Sequence, residues 1–239
     1  MNRQHRILSI SIALVFTALS TGAFASNGQV TQLSGTLSVR KADGSIRILS
    51  QRSQIESGDT INTERDSYAQ IKFTDGGQIT LKPNTAVKIE NFKFAEEKPE
   101  DDSFLYRLVK GGLRAVTGIV GKRSKDKYQL ETATATVGIR GTTFSADDCV
   151  SNREQNVDCG RLDPAVYVGV ADGEVVVRNG QGDLGLTAGQ FGLISPNQRP
   201  LFLSTDPGLQ FTPPATFIQS VMAGAVVNAG RSLECVITR

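Results

Sequence analysis

The chain has one histidine among its 239 residues and no tryptophan. That histidine, His5, lies in the N-terminal segment before Ser26. The rest of the chain has no imidazole for Ser-His-Asp or Cys-His catalysis, or for binding zinc or haem. Acidic residues are plentiful, but the sequence marks no pair of carboxylates as a glycosidase site. We therefore expect a protein that is not an enzyme and that uses no metal and no cofactor.

Long apolar runs are also lacking. The longest, Ile7–Leu19, is shorter than the roughly 20 residues that a membrane-spanning helix needs. Arg3 and Arg6 precede this run, and Ala23–Ala25 follows it with small residues at both ends. This order is typical of a cleavable secretory signal peptide. We expect residues 1–25 to be removed, which would leave an exported protein without a membrane span.

The sequence has no marked excess of one charge. It contains 26 Lys and Arg against 24 Asp and Glu, and Arg3 and Arg6 lie in the predicted signal peptide. The remaining chain is close to neutral, whereas domains that bind nucleic acid are usually strongly basic. We expect no nucleic-acid partner.

Cysteine is scarce, with Cys149, Cys159 and Cys235 alone. Disulfides are permitted after export. Cys149 and Cys159 flank a short polar stretch, and closing so small a loop is worth about 2.7 kcal/mol in the chain-entropy view. We expect a Cys149–Cys159 disulfide. A bond from Cys235 to either of them, or three free thiols, are the alternatives.

Apolar and polar residues alternate along most of the chain, as in Leu33–Arg40, Ala69–Phe73 and Thr132–Arg140. Strict alternation is typical of half-buried β-strands. Glycine-containing turns such as Asp75–Gly77 separate the alternating runs. We predict an all-β fold, a β-sandwich or β-roll of about ten short strands between Val30 and Ile194.

A weak internal repeat relates Gly35–Ile48 to Gly173–Leu186. Arg40 aligns with Arg178 in this repeat, and Gly111–Ala115 begins a partial third copy. The repeat indicates either a duplicated binding unit or hairpins that share one kind of turn.

Two segments concentrate charge of opposite sign. Glu96–Asp102 is acidic, and Arg107–Lys127 is basic. The basic segment is a candidate surface for an anionic partner. Alternatively, both segments are solvated loops.

The composition changes after Ser195, where prolines accumulate, and we predict an extended strap there. Thr212 and Pro213 resemble a helix start, and Phe217 opens an apolar stripe that ends near Gly230. We therefore divide the chain into a signal peptide (1–25), a β domain (29–194), and a strap with a short C-terminal helix (195–239). The helix docks on the β domain or serves a partner or a membrane surface.

The segment Thr132–Phe144 resembles the signature of the FecR domain, with alternating Thr and Ala before Val-Gly-Ile-Arg-Gly-Thr and an aromatic residue. Ser57–Thr63 and Ala69–Leu81 resemble the first half of that domain, and Gly173–Gln190 resembles its end. The resemblance covers roughly Gln29–Ile194 and implies an all-β periplasmic module.

The best-known FecR protein regulates ferric citrate transport and passes a signal from an outer-membrane transporter to a sigma factor. The resemblance therefore implies a role in signal transduction. This chain differs from that protein in its predicted cleavable leader and in its short tail after Ser195. Direct control of a sigma factor from the cytoplasm does not follow from the resemblance.

The candidate binding residues are Thr134, Thr136 and Arg140. In an extended strand they share one face, and Gly138 leaves room between them. That face is suited to a carboxylate or to the edge of a polypeptide. In the alternative, Arg140 pairs with an acidic residue and only fixes the end of the strand.

We predict a non-catalytic FecR-like protein of the periplasm that binds an envelope protein or a cell-wall component and takes part in sensing or signalling. A binder of cell-wall polysaccharide is the alternative. The aromatic rings that such a binder stacks against sugars would have to come from the four tyrosines, Tyr68, Tyr106, Tyr128 and Tyr167.

Overall fold

The computed structural model describes residues 26–151, 159–160, 162–208, 213 and 217. Within them the all-β prediction is confirmed, with fifteen strands where the sequence predicted about ten. The additional strands are short, such as β4, and carry no visible alternation. The strands are β1 (Gly28–Ser34), β2 (Leu37–Arg40), β3 (Ile46–Leu49), β4 (Gln54–Ile55), β5 (Thr60–Thr63), β6 (Tyr68–Phe73), β7 (Gln78–Leu81), β8 (Ala86–Lys93), β9 (Ser103–Val116), β10 (Tyr128–Glu131), β11 (Thr136–Asp148), β12 (Val166–Asn179), β13 (Gly182–Thr187), β14 (Phe191–Ile194) and β15 (Leu201–Leu203). One α-helix, α1 (Ile119–Arg123), and two 3-10 turns, Pro99–Asp101 and Lys125–Lys127, complete the described elements.

All fifteen strands belong to one sheet that folds over itself into two half-sheets. The first half-sheet has the order β3-β2-β5-β8-β9-β10-β11-β12-β13. The second has the order β4-β1-β6-β7-β9-β11-β12-β14-β15. The long strands β9, β11 and β12 each run through both, one part of the strand in each half-sheet.

A glycine stands at each corner where a long strand passes from one half-sheet to the other. Gly111 in β9, Gly141 in β11 and Gly173 in β12 have φ of 83°, 65° and 81°. Gly35, with φ of 83°, lies at the corresponding corner where the chain passes from β1 in the second half-sheet to β2 in the first. Residues with a Cβ atom rarely adopt such positive φ values, so glycine is suited to each corner. The internal repeat therefore consists of corner glycines followed by similar hairpins, β2-β3 and β12-β13.

Aromatic rings from the two half-sheets meet in the core. The ring centroid of Phe73 in β6 lies 5.2 Å from that of Phe92 in β8 and 4.6 Å from that of Phe104 in β9. Tyr106 and Tyr128 extend this cluster and are fully buried, and burial raises the pKa of both hydroxyls. These contacts make the fold a sandwich in which both half-sheets bury one face against a shared core.

The acidic and basic segments contact each other through Arg123, while most of their charged side chains remain exposed. The Arg123 guanidinium contacts the buried Asp102 carboxylate at 2.6 Å and donates hydrogen bonds to the carbonyls of Ala95 and Glu96. Burial by itself would raise the pKa of Asp102, but the hydrogen bonds from Arg123 and from the Ala95 N–H, together with the nearby positive charges, outweigh burial and the pKa is lowered. Arg123 is therefore engaged within the fold and not available for an anionic partner.

The predicted Cys149–Cys159 disulfide is confirmed, with Cα atoms 5.3 Å apart. Both cysteines are buried beside Ala165 and Tyr167. Part of the predicted strap forms β15, which pairs with β14. The predicted signal peptide, Cys235 and nearly all of the predicted C-terminal helix lie outside the described residues.

In that C-terminal region, the described residue Phe217 packs its ring against another aromatic ring. It is buried, and its ring centroid lies 6.0 Å from that of Tyr68 in β6. No helix among the described residues is long and apolar enough to cross a membrane.

Candidate functional site

Strand β11 presents two of the three candidate binding residues on the outer face of the first half-sheet. Val137 and Ile139 point into the core and are fully buried. Thr136 and Arg140 alternate with them and face outward. Gly138 lies between the two, where the nearest atom to an added Cβ would be the Val176 carbonyl oxygen at 3.7 Å. The space predicted at Gly138 is therefore present.

Thr134 does not share this face, which corrects the predicted arrangement. Strand β11 begins at Thr136, and Thr134 lies in the turn that joins β10 to β11. The Thr132 backbone N–H donates to the Ala135 carbonyl, and the Thr132 hydroxyl accepts from the Ala135 N–H, so a local side-chain bond replaces strand geometry there. Thr134 instead donates its hydroxyl to the Ile194 carbonyl at 3.3 Å. A binding role for Thr134 stays a prediction.

Thr136 belongs to a row of outward side chains that crosses the first half-sheet from β2 to β13. Each residue of this row is paired in register with the next one on the neighbouring strand. The row contains four cationic, two acidic and two threonine side chains. In order across the half-sheet they are Arg40, Thr60, Lys88, Arg107, Glu131, Thr136, Arg178 and Asp183. Arg107 contacts Glu131 at 2.6 Å, and Arg178 contacts Asp183 at 3.0 Å. The row has an excess of positive charge, and we refer to it as the polar row.

A shallow depression of about 200 Å³ opens beside Thr136 on this face. Thr136 and Gly138 line it, together with five further polar or charged residues, namely Lys125, Asp126, Gln129, Arg140 and Arg178. They come from β10, β11, β12 and the turn before β10. The depression offers guanidinium, ammonium, amide and hydroxyl donors together, which suits a carboxylate or the backbone of a polypeptide.

Arg140 is paired, as one of the two sequence interpretations predicted. Its guanidinium lies 3.7 Å from the Glu174 carboxylate, and the two side chains are 52% and 43% exposed. An exposed pair at this distance contributes little to stability. Because Glu174 is exposed as well, loss of Arg140 would leave no buried carboxylate without a partner.

Replacement of Arg140 by alanine should change the free energy of unfolding by less than about 1 kcal/mol. Chemical denaturation of wild type, Arg140→Ala and Glu174→Ala measures this, and the two variants should agree closely. A loss of several kcal/mol in Arg140→Ala alone would show that Arg140 has a structural role that its contacts do not reveal.

Sequence reasoning missed Arg178, Lys125 and Gln129. Arg178 was visible as the counterpart of Arg40 in the internal repeat, and both residues prove to lie in the polar row. Lys125 lies in the basic segment Arg107–Lys127 that the sequence singles out, although no single residue of it was marked. Gln129 had no signal, because the parallel pairing of β10 with β9 brings it to the depression.

A larger depression, of about 460 Å³, lies on the outer face of the second half-sheet. Arg114, Tyr167, Phe191 and Asp206 contribute to its lining. Beside it, Lys82 and Asp147 form an ion pair at 2.7 Å, with side chains only 6% and 1% exposed. This pair fixes β11 to the residue after β7, so we assign it a structural role.

The tyrosines do not form an exposed platform for a sugar. Tyr106, Tyr128 and Tyr167 are buried, and the Tyr167 hydroxyl donates to the Asp163 carbonyl. Tyr68 packs against Phe217. Across the described part of the chain, no three His, Cys, Asp or Glu side chains cluster as metal ligands would. That the protein uses no metal or cofactor stays a prediction.

In a comparison with known protein families, residues 59–176 match the family model described as FecR protein. No curated protein matches the chain. Two solved structures from Parabacteroides distasonis ATCC 8503, each described as a "putative anti-sigma factor", align with TM-scores of 0.45 and 0.46 at 16% and 17% identity. Each alignment covers 62% of this chain and 60% of the other.

A third solved structure, described as a cell surface anchoring domain, aligns with a TM-score of 0.26 at 27% identity. That alignment covers 26% of this chain and 83% of the other. The matched residues 59–176 begin immediately before β5 and end within β12, so they contain β11 with Thr136 and Arg140.

Proposed function

We propose that this chain, which carries a FecR domain over residues 59–176, is a non-catalytic periplasmic module that binds an envelope protein and takes part in signal transduction. The family match supports the regulatory role. The leader-like segment, residues 1–25, supports export. The observation that carries the binding role is the depression beside Thr136, where Arg140, Arg178 and Lys125 converge.

The chemistry of this depression favours a protein partner. Its donors lie on one open sheet face, and its volume of about 200 Å³ is below the range usual for enclosing a small ligand. Arg140 and Arg178 already contact Glu174 and Asp183, and all four side chains are exposed. A partner carboxylate can replace such contacts at low cost, because exposed pairs are weak. We infer that the partner presents an acidic side chain or a chain terminus to this face.

Partner capture in the native host tests the proposal. A photo-crosslinking residue at Gln129, which lines the depression, should capture one envelope protein that mass spectrometry identifies. Reversing both charges with Arg140→Glu and Arg178→Glu should abolish this capture, since the partner carboxylate would then meet two carboxylates. Lys72→Glu is the matched control, because Lys72 is exposed on β6 of the other half-sheet.

Retained capture in the charge-reversed protein would contradict the proposed site. Cell fractionation of the same strains tests the location, and N-terminal sequencing of the periplasmic protein should begin at Ser26. A pull-down on purified peptidoglycan tests the polysaccharide alternative. Strong retention there, equal in wild type and in the charge-reversed protein, would favour a cell-wall binder over the protein partner.

A further inference from the structure

Strand β3 is an edge of the first half-sheet with exposed apolar side chains. It pairs with β2 and with no other strand among the described residues. Ile46 and Ile48 are 66% and 72% exposed, the largest values among the exposed large apolar residues of the described chain. Folded proteins usually protect a sheet edge with charges, proline or a covering segment, so two open isoleucines on an edge are unusual.

The backbone groups of the same two isoleucines also face away from the sheet. The Lys41 N–H donates to the Ser45 carbonyl at 2.8 Å and the Lys41 carbonyl accepts from the Gly44 N–H at 2.9 Å, so both backbone groups of Lys41 face across the hairpin. In an antiparallel pair, hydrogen-bonded and non-hydrogen-bonded positions alternate. Arg47 and Leu49 therefore direct their N–H and C=O groups to β2, and Ile46 and Ile48 direct theirs to the open edge.

Cations surround this edge. Arg47 lies between the two isoleucines, and Arg40 lies opposite Ile46 in the register. A hollow of about 250 Å³ beside Ile46 is lined by Arg40 and Lys110, together with Glu64 and neutral polar residues. Within the described chain, Arg40, Arg47 and Lys110 form no salt bridge. The edge thus combines apolar contacts, free hydrogen-bonding groups and cations that no salt bridge engages within the described chain.

A second copy of this chain fits the edge poorly. A symmetric antiparallel pairing that stacks Ile46 of one copy on Ile48 of the other places Arg47 directly opposite Arg47. Like charges directly opposite each other destabilise a strand pair. A strand with a carboxylate opposite Arg47 gains attraction from the same geometry, so charge complementarity favours a different, acidic occupant.

We propose that the free edge of β3 binds an extended segment of another protein in which apolar residues alternate with acidic ones. The segment adds one strand beside β3, pairs its backbone with Ile46 and Ile48, and places a carboxylate opposite Arg47. This surface is independent of the depression beside Thr136. Six strand spacings separate β3 from β11, or about 29 Å at about 4.8 Å per strand.

Amide hydrogen exchange on the full chain tests whether the edge is open. The amides of Ile46 and Ile48 should exchange rapidly, while those of Arg47 and Leu49 exchange slowly because they donate to β2. Protection of Ile46 and Ile48 in the protein alone would show that a second copy or residues outside the described ranges cover the edge. Either result overturns the proposal, and sedimentation distinguishes the two.

Binding is tested by a seven-residue synthetic peptide that alternates valine and aspartate, titrated to millimolar concentration under NMR. The amide signals of Ile46 and Ile48 should shift and become protected from exchange. The same peptide with lysine in place of aspartate should bind at least tenfold more weakly. Arg47→Glu should reverse this preference, since the peptide residue opposite position 47 then meets a carboxylate.

Ile48→Pro removes the outward N–H and leaves the bonds to β2 in place, because proline is tolerated where the N–H of an edge strand faces solvent. It should weaken binding of the aspartate peptide at least tenfold without changing the melting temperature. If Ile48→Pro folds poorly, Ile48→Thr is used instead. It retains the backbone N–H and removes only the apolar side-chain contact. Absence of peptide-induced shifts in the wild type, or equal binding of both peptides, overturns the proposal.

Discussion

Replacing Lys82 with methionine should lower the free energy of unfolding by about 3–5 kcal/mol. The Asp147 carboxylate would remain 1% exposed and would lose the ammonium that lies 2.7 Å away. Removing one partner of a buried ion pair costs far more than the pair itself contributed, so one deletion is expected to be worse than removing both partners.

The matched comparison is the double variant Lys82→Met with Asp147→Leu. It removes both charges and fills similar volume, so it should recover most of the stability lost in Lys82→Met. Urea denaturation of wild type, both single variants and the double variant gives the coupling. A cost below about 1 kcal/mol for Lys82→Met would contradict the structural role assigned to this pair.

Replacing Gly173 with alanine should destabilise the protein by about 2–5 kcal/mol. Gly173 has φ of 81°, and a Cβ there would lie 2.5 Å from the Gly141 carbonyl oxygen. The variant therefore adds a backbone clash to the cost of a left-handed conformation. The clash would push β11 and β12 apart at the corner. Neither strand can move there without breaking hydrogen bonds to its neighbouring strands.

Gly76→Ala is the control that separates these two costs. Gly76 has φ of 83°, close to that of Gly173, but an added Cβ would meet nothing within 4 Å. It should cost only the conformational strain, about 1–2 kcal/mol. Equal effects of the two substitutions in thermal and urea unfolding would show that the corner accommodates a side chain.

The alternating pattern predicted most of the β fold because one face of each strand is buried. In Ala69–Phe73, for example, Ala69, Ile71 and Phe73 are all buried, as the alternation requires. The pattern failed at Thr132–Ala135, where apolar and polar residues also alternate but a threonine hydroxyl closes a turn. Periodicity does not detect such local competition between side chain and backbone.

The candidate site was predictable only in part, because most of it depends on register. Thr136 and Arg140 lie on one strand, and their shared face follows from the period of two. Arg178 meets Thr136 because β12 pairs with β11 in one particular register, which a single sequence does not reveal. The contact between Arg123 and Asp102 similarly depends on how two distant loops meet.

The strands that pass through both half-sheets also determine how this protein can respond to a bound partner. Because β9, β11 and β12 contribute hydrogen bonds to both layers, separating the layers requires breaking pairs on both sides of each glycine corner. Opening of the sandwich is thus coupled to global unfolding and is too costly to serve as a signalling step. We expect a partner to find a rigid surface, so that any signal is transmitted by assembly of complexes and not by a hinge within the domain.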